Sequence, residues 1–131
     1  MKYYFNTIIQ VGFDEAIAKT TEALKVEGFG IVSEIDMQAK LKEKLGVDYK
    51  RYKILGACNP AFAYKALQAE EKIGVMLPCN ILVIDKENGT TEVVAVDPIA
   101  SMLAIQNPAL EPMAKEVAEK LEKVIKSLKI N

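Results

Sequence analysis

The sequence predicts an α+β fold, with an antiparallel or mixed five-stranded sheet and helices packed on one of its faces. Segments with the period-two alternation of strands are separated by segments of helical periodicity, in the order β-α-β-α-β-α-β-β-α. The last two strands are joined by Lys86-Glu87-Asn88-Gly89, and such a short turn joins only antiparallel neighbours. This excludes a purely parallel sheet and favours helices on a single face.

The first half of the chain alternates between strand and helix. Residues 3–11 and 29–35 place apolar side chains at every second position, which is typical of strands. Between them, apolar residues from 13 to 24 recur at helical spacing, and Gly28 stands where a helix usually ends. Asp36 is a suitable N-cap for a short helix that follows the second strand.

The second half contributes three strands and two helices. Strands are predicted over residues 52–58, 81–84 and 92–96. The last of these includes Val93-Val94-Ala95-Val96, which has no polar alternation and therefore indicates a central strand or one covered on both faces. A helix is predicted to run from residue 60 to about residue 71, and another from residue 108 to about residue 129.

Three helix starts are marked by a capping residue directly before a proline. A side-chain oxygen can accept a hydrogen bond from the first helical turn, and proline suits the first helical position because no amide is needed there. These pairs are Asn59-Pro60, Asp97-Pro98 and Asn107-Pro108. We expect a helical segment to begin at each of them.

Composition predicts one domain, residues 1–131, and excludes several classes of site. The chain has 17 basic and 18 acidic residues and no histidine, which removes imidazole triads and histidine-ligated metals. The near-zero net charge disfavours nucleic acid and anionic membranes as partners. The N-terminus lacks signal-peptide features, no apolar run is long enough to span a membrane, and there are only two cysteines, so we expect a cytoplasmic protein.

The two cysteines mark the candidate site, because each precedes an asparagine where the chain changes direction. Cys58-Asn59 stands between a strand and a helix, and Cys79-Asn80 follows Pro78 at the start of a strand. A helix that leaves the sheet and returns to it would bring both pairs to one end of the sheet. A thiol at a helix N-terminus also favours the thiolate.

Three hypotheses follow from this pair. The first is a binding module for a small anionic or thiol-reactive ligand, held by Cys58, Asn59, Cys79 and Asn80. The second is a thiol-dependent redox or transfer enzyme with Cys58 as nucleophile and Cys79 as a second candidate catalytic residue. The third is a structural homodimer, formed through a sheet edge or the last helix. In the simplest alternative, both cysteines are buried hydrophobes and the asparagines serve a cap and a turn.

A basic segment could supply charge to such a ligand. Residues 40–53 carry six basic and two acidic side chains, and Lys44 or Arg51 would be the anion anchor. The alternative is a solvated helix face with an exposed loop. The chain has a single arginine and no aromatic-rich basic stripe, so we expect no nucleic-acid partner.

The sequence predicts neither a metal site nor a cofactor. Structural zinc takes four nitrogen or sulfur ligands, and only two cysteines are present. Two thiolates alone could hold only a soft monovalent ion such as Cu(I).

The cysteine motifs also carry a family resemblance that extends over nearly the whole chain. Three motifs, in this order along the chain, resemble the family called domain of unknown function 302: Cys58-Asn59-Pro60, Leu77-Pro78-Cys79-Asn80 and Asp97-Pro98. The resemblance implies an α+β fold in the TATA-box-binding-protein-like group and a homodimer. It implies no activity.

Overall fold

The computed structural model describes residues 2–130 and has at its centre a five-stranded sheet in which all neighbouring strands are antiparallel. The order across the sheet is β1-β5-β4-β3-β2. The strands are β1 (Tyr4–Ile9), β2 (Gly30–Asp36), β3 (Tyr52–Cys58), β4 (Cys79–Asp85) and β5 (Thr91–Val96). The predicted fold class is therefore confirmed.

The helices occupy the predicted intervals, with two differences. They are α1 (Phe13–Val26), α2 (Met37–Leu45), α3 (Pro60–Ala69), α4 (Pro98–Met102) and α5 (Glu111–Ile130). The helix expected to reach about residue 71 ends at Ala69, because Glu70 takes an extended conformation, and a separate 3₁₀ helix (Glu71–Met76) follows. The last helix was expected from residue 108, where the structure has a 3₁₀ turn (Pro108–Leu110) that leads into α5.

The proposed capping residues accept backbone hydrogen bonds at all four helical starts. The donors are Ala39 N to Asp36 (3.0 Å), Phe62 N to Asn59 (3.5 Å), Ile99 N to Asp97 (3.0 Å) and Ala109 N to Asn107 (3.0 Å). Each bond satisfies an amide that the helix itself leaves without a partner.

One face of the sheet forms the main core with α1 and α5. Five side chains that point from this face are essentially inaccessible to solvent: Leu55, Ile81, Val83, Val93 and Ala95. They pack against one stripe of each helix, consisting of Phe13, Ala16, Leu24, Leu121, Val124, Ile125 and Leu128. The residues that alternate with them therefore point away from this core.

The opposite face of the sheet is apolar along its middle, carries the polar side chains of Asn6, Asn80 and Glu92, and is partly accessible to solvent. Ile35, Ile54, Leu82 and Val94 form one cross-strand row on this face. Ile35 is 43% exposed, whereas the side chains of the other three residues are partly buried. β5 is interior to the sheet, as its apolar sequence predicted, but Val94 remains partly accessible. We call this surface the open face.

A second, smaller core lies where α3, α4 and the start of α5 meet. It consists of buried Ala66, Ile73 and Leu110, against which several partly buried side chains pack: Ala69, Met76, Leu77, Met102, Ile105 and Met113. No helix within residues 2–130 is both long and apolar enough to cross a membrane.

Candidate functional site

A cavity of about 370 Å³ lies at the end of the sheet, between the two cores. Cys58, Asn59 and Cys79 line it together, and the rest of the lining is apolar. It comes from β2, β3, α3, α4, the 3₁₀ turn before α5, α5 itself, and the residues directly before β2 and β4. The structure thus brings both cysteines to one site. Its volume lies within the range of small-molecule pockets.

Cys58 and Asn59 are positioned by the change from β3 to α3. Cys58 is the last residue of the strand and is partly accessible, and Asn59 caps the helix through its side-chain oxygen. The side-chain nitrogen Nδ2 of Asn59 lies against Gly28. A Cβ added to Gly28 would be 3.0 Å from this nitrogen. Gly28 has a φ of +87°, so a side chain there would be both strained and crowded.

Cys79 begins β4 and, like Cys58, is partly buried. It pairs with Ala57, the residue before Cys58, and packs against the main core. Burial, with a smaller contribution from the negative charge that Cys58 can carry, raises the pKa of Cys79 to about 11. At neutral pH Cys79 is therefore a protonated thiol and a poor nucleophile. The two cysteines are free and are not joined by a disulfide.

A close contact between β3 and the segment before β4 shapes the neighbouring wall. A Cβ on Gly56 would lie 2.6 Å from Pro78 Cγ and would also collide with Ser33 Oγ. Pro78 lines the cavity, so glycine at position 56 is what allows this wall to approach the sheet.

The other predicted site residues lie elsewhere. Asn80 is exposed and pairs with Gly56, because successive residues of a strand point to opposite faces and Cys79 points toward the core. Lys44 is exposed near the end of α2 and does not line the cavity.

Arg51, the other proposed anion anchor, already has a carboxylate partner. Its guanidinium donates to Asp14 at 2.8 Å and stacks over the Phe13 ring, 4.3 Å from the centroid. The hydrogen bond from Arg51, together with its positive charge, holds the pKa of Asp14 below its ordinary value. Within the basic segment, Lys40, Lys42 and Lys53 also pair with carboxylates, so much of its positive charge is neutralised locally.

Met102 on α4 and Met113 on α5 also line the cavity. Both side chains are partly buried and pack against the second core. Their place beside the cysteines depends on how α4 and α5 fold back onto the sheet end, which local sequence does not show. In the described part of the chain, no three His, Cys, Asp or Glu side chains are grouped so as to hold a metal ion.

Two comparisons with known proteins name the same family. Residues 5–128 match the family described as "Domain of unknown function DUF302". An uncharacterised protein of Aquifex aeolicus (strain VF5) is 30% identical over 76 residues, which is 58% of this chain and 52% of that protein. The chain thus spans about half the length of this curated relative.

A solved structure gives the same assignment over the whole fold. The crystal structure of an uncharacterised conserved DUF302 protein from Bacillus stearothermophilus superposes with a TM-score of 0.89 and 29% identity. The alignment covers 98% of this chain and 99% of the other. From the match over residues 5–128, the chain belongs to the DUF302 family.

Proposed function

We propose that this protein binds a small, mostly apolar molecule in the cavity between the two cores, with a thiol-reactive or hydrogen-bonding group directed toward Cys58 and Asn59. The observation that carries the proposal is the cavity itself, about 370 Å³ in volume and bordered by both cysteines. Pockets that bind small molecules are typically apolar, with a few polar groups that fix the ligand's orientation.

The lining determines which ligand suits the site. No charged side chain borders the cavity in the described part of the chain, and neither Lys44 nor Arg51 reaches it. An anion would lose its hydration there without an opposite charge to replace it. We therefore retain the thiol-reactive ligand and give up the anionic one.

The roles of the two thiols differ in this proposal. Cys58 is partly accessible at the end of β3, where a ligand entering the cavity would meet it. Cys79, whose pKa burial raises to about 11, forms an apolar wall rather than an attacking group. A reaction at this site would therefore begin at Cys58.

The first test places a larger side chain in the cavity at a position on α3. Ala63 lines it, whereas Ala61 is exposed two residues earlier on the same helix. The neutral fluorescent probe N-phenyl-1-naphthylamine is titrated into the wild type, A63F and A61F. We expect saturable binding to the wild type and A61F and at least tenfold weaker binding to A63F.

A second measurement tests the role of Cys58. Saturating probe should slow the alkylation of Cys58 by N-ethylmaleimide, followed by intact mass, because the probe occupies the space in front of the sulfur. The proposal fails if A63F and A61F bind the probe equally well, or if the bound probe leaves alkylation of Cys58 unchanged.

We also propose a homodimer, formed through the open face. Neighbouring strands lie about 4.8 Å apart and rise about 3.3 Å per residue. The face of a five-stranded sheet of this strand length therefore covers about 500 Å² per copy. Two copies would then bury about 1,000 Å², near the lower limit for a specific interface. Sheet packing also suits a second copy, because two apolar sheet faces pack about 10 Å apart with their side chains interleaved.

The dimer is tested with two accessible residues of the open face. Ile8 and Ile35 are 54% and 43% exposed, so lysine is tolerated at both positions in a monomer. Light scattering at 100 µM should give twice the monomer mass for the wild type and for the control L45K, and the monomer mass for I8K/I35K. Leu45 is 70% exposed on α2 and provides the matched control. A monomeric wild type overturns this proposal.

A further inference from the structure

One wall of the cavity is the helix α3, whose inward stripe faces open space. Phe62, Ala63, Ala66 and Leu67 form this stripe, and all four border the cavity. Within this helix, which the structure describes throughout, only Ala66 is buried. Phe62 has the largest side chain of the four and packs against neither core of the described chain. The first turns of α3 therefore lack the apolar partners that anchor α1 and α5.

The two ends of α3 are held differently. Ala66 and Ala69 place its last turn against the second core, and Asn107 Nδ2 donates to Ala69 O at 3.2 Å. In the described part of the chain, the first turn has one side-chain hydrogen bond, the local bond from Phe62 N to Asn59 Oδ1, which is 3.5 Å long. This length exceeds the usual range for an N–H···O bond, so the cap is weak.

We propose that the N-terminal part of α3, residues 60–65, is weakly held when the cavity is empty and is secured by the ligand that fills the cavity. A helix of ten residues depends on tertiary packing for its stability, and the first turns of this one face the cavity. A ligand supplies the packing partner that Phe62 and Ala63 lack. This inference concerns the regulation of the binding site and rests on the proposed function.

The other walls of the cavity are better supported. Ala57 and Cys79 lie on β3 and β4, which are interior strands of the sheet. The helix α5 is twice as long as α3 and buries Leu121, Val124 and Leu128 in the main core. Segments with few buried apolar contacts open at a lower free-energy cost than core strands and helices. Local opening of this site therefore begins at α3.

Amide hydrogen exchange, followed residue by residue with NMR, measures this opening. Opening of the N-terminal part breaks the helical hydrogen bonds donated by the amides of residues 63–67. In the empty protein we expect these amides to exchange at least about tenfold faster than those of Leu121 and Val124. Since the probe N-phenyl-1-naphthylamine binds the packed helix, free probe at ten times its dissociation constant should slow exchange in α3 by about tenfold.

The helix α2 provides the matched control. In the described chain its residues belong to neither core and do not line the cavity. Its amides should exchange readily as well, but the bound probe should leave their exchange unchanged. The amides of α5 cannot serve this purpose, because unfolding of the whole chain also releases the probe and is suppressed by it.

Two variants test the same point without a ligand. The ring of A63F occupies the cavity from the helix itself, so the α3 amides should be protected in this variant without the probe. A61F, at an exposed position, should exchange like the wild type. Equal exchange of α3 in A63F and A61F overturns the inference.

The wild-type measurements can overturn it independently of any variant. They do so if the α3 amides of the empty protein are as protected as those of α5, or if the bound probe leaves α3 unchanged or slows α2 equally. A probe that does not bind is a failure of the proposed function. In that case the comparison of α3 with α5 and of A63F with A61F still decides whether packing in this space holds the helix.

Discussion

Replacing Gly56 by alanine tests how closely the wall of the cavity approaches the sheet. The added Cβ would lie 2.6 Å from Pro78 Cγ and would collide with Ser33 Oγ. Gly56 is buried in β3, with β2 on one side and β4 on the other, so the backbone has little room to move. The methyl group must therefore displace Pro78, Ser33 or both.

The expected cost is that of overpacking a well-filled region, about 1–3 kcal/mol in the free energy of unfolding. With a urea m-value of about 2 kcal/mol/M, the unfolding midpoint should fall by about 0.5–1.5 M. Gly30 is the matched control, because it lies in the adjacent strand and an added Cβ there meets nothing within 4 Å. G30A should be neutral or slightly stabilising, since alanine restricts the unfolded chain.

A double variant identifies the source of the strain. S33A removes the colliding hydroxyl but leaves Pro78 in place, so S33A/G56A should recover part of the stability lost in G56A and not all of it. Equal urea midpoints for G56A and G30A would refute the close packing of this wall. Full recovery in S33A/G56A would show that Pro78 does not press on this position.

Three further outcomes follow from the structure. The folded protein keeps the Cys79 proton up to about pH 11 and the unfolded chain releases it near 9, so stability is complete below pH 9. About 3 kcal/mol is then lost as pH rises from 9 to 11, and C79A should lack this component in urea titrations. R51Q should raise the pKa of Asp14 toward its ordinary value, as seen by NMR of the carboxyl carbon, because the guanidinium now lowers it. L121A should cost about 2–5 kcal/mol in urea unfolding, because Leu121 is fully buried, whereas L45A at an exposed position should cost less than about 0.5 kcal/mol.

The elements of the fold could be predicted because their signals are local. Alternation, capping residues and the asparagine–glycine turn each act over a few neighbouring positions, and the strands and helices lie close to where those signals place them. The boundaries that differ depend on single backbone conformations. Glu70 adopts φ −151° and ψ 102°, which ends α3 before the predicted residue. Nothing in the side chain of glutamate requires that conformation.

The candidate site could be predicted only in part, because its residues come from distant segments. Cys58, Asn59 and Cys79 were identified from chain direction changes, and all three border the cavity. Asn80 was grouped with Cys79 as a neighbour in sequence, but strand alternation separates the two onto opposite faces. The positions of Met102 and Met113 beside the cavity depend on how α4 and α5 pack, and no local sequence pattern predicts that packing.

The residues that surround the cavity also bear on why it exists. Four alanines border it, Ala57, Ala63, Ala66 and Ala114, two of them on α3 and one each on β3 and α5. Larger apolar residues at such positions would fill the space and add favourable contacts, since protein interiors are otherwise close-packed. A cavity maintained by small side chains thus gives up packing energy that this chain could otherwise gain. That cost is understandable if the space is occupied during function, and A63F, which fills it, should then raise the urea midpoint while it weakens binding of the probe.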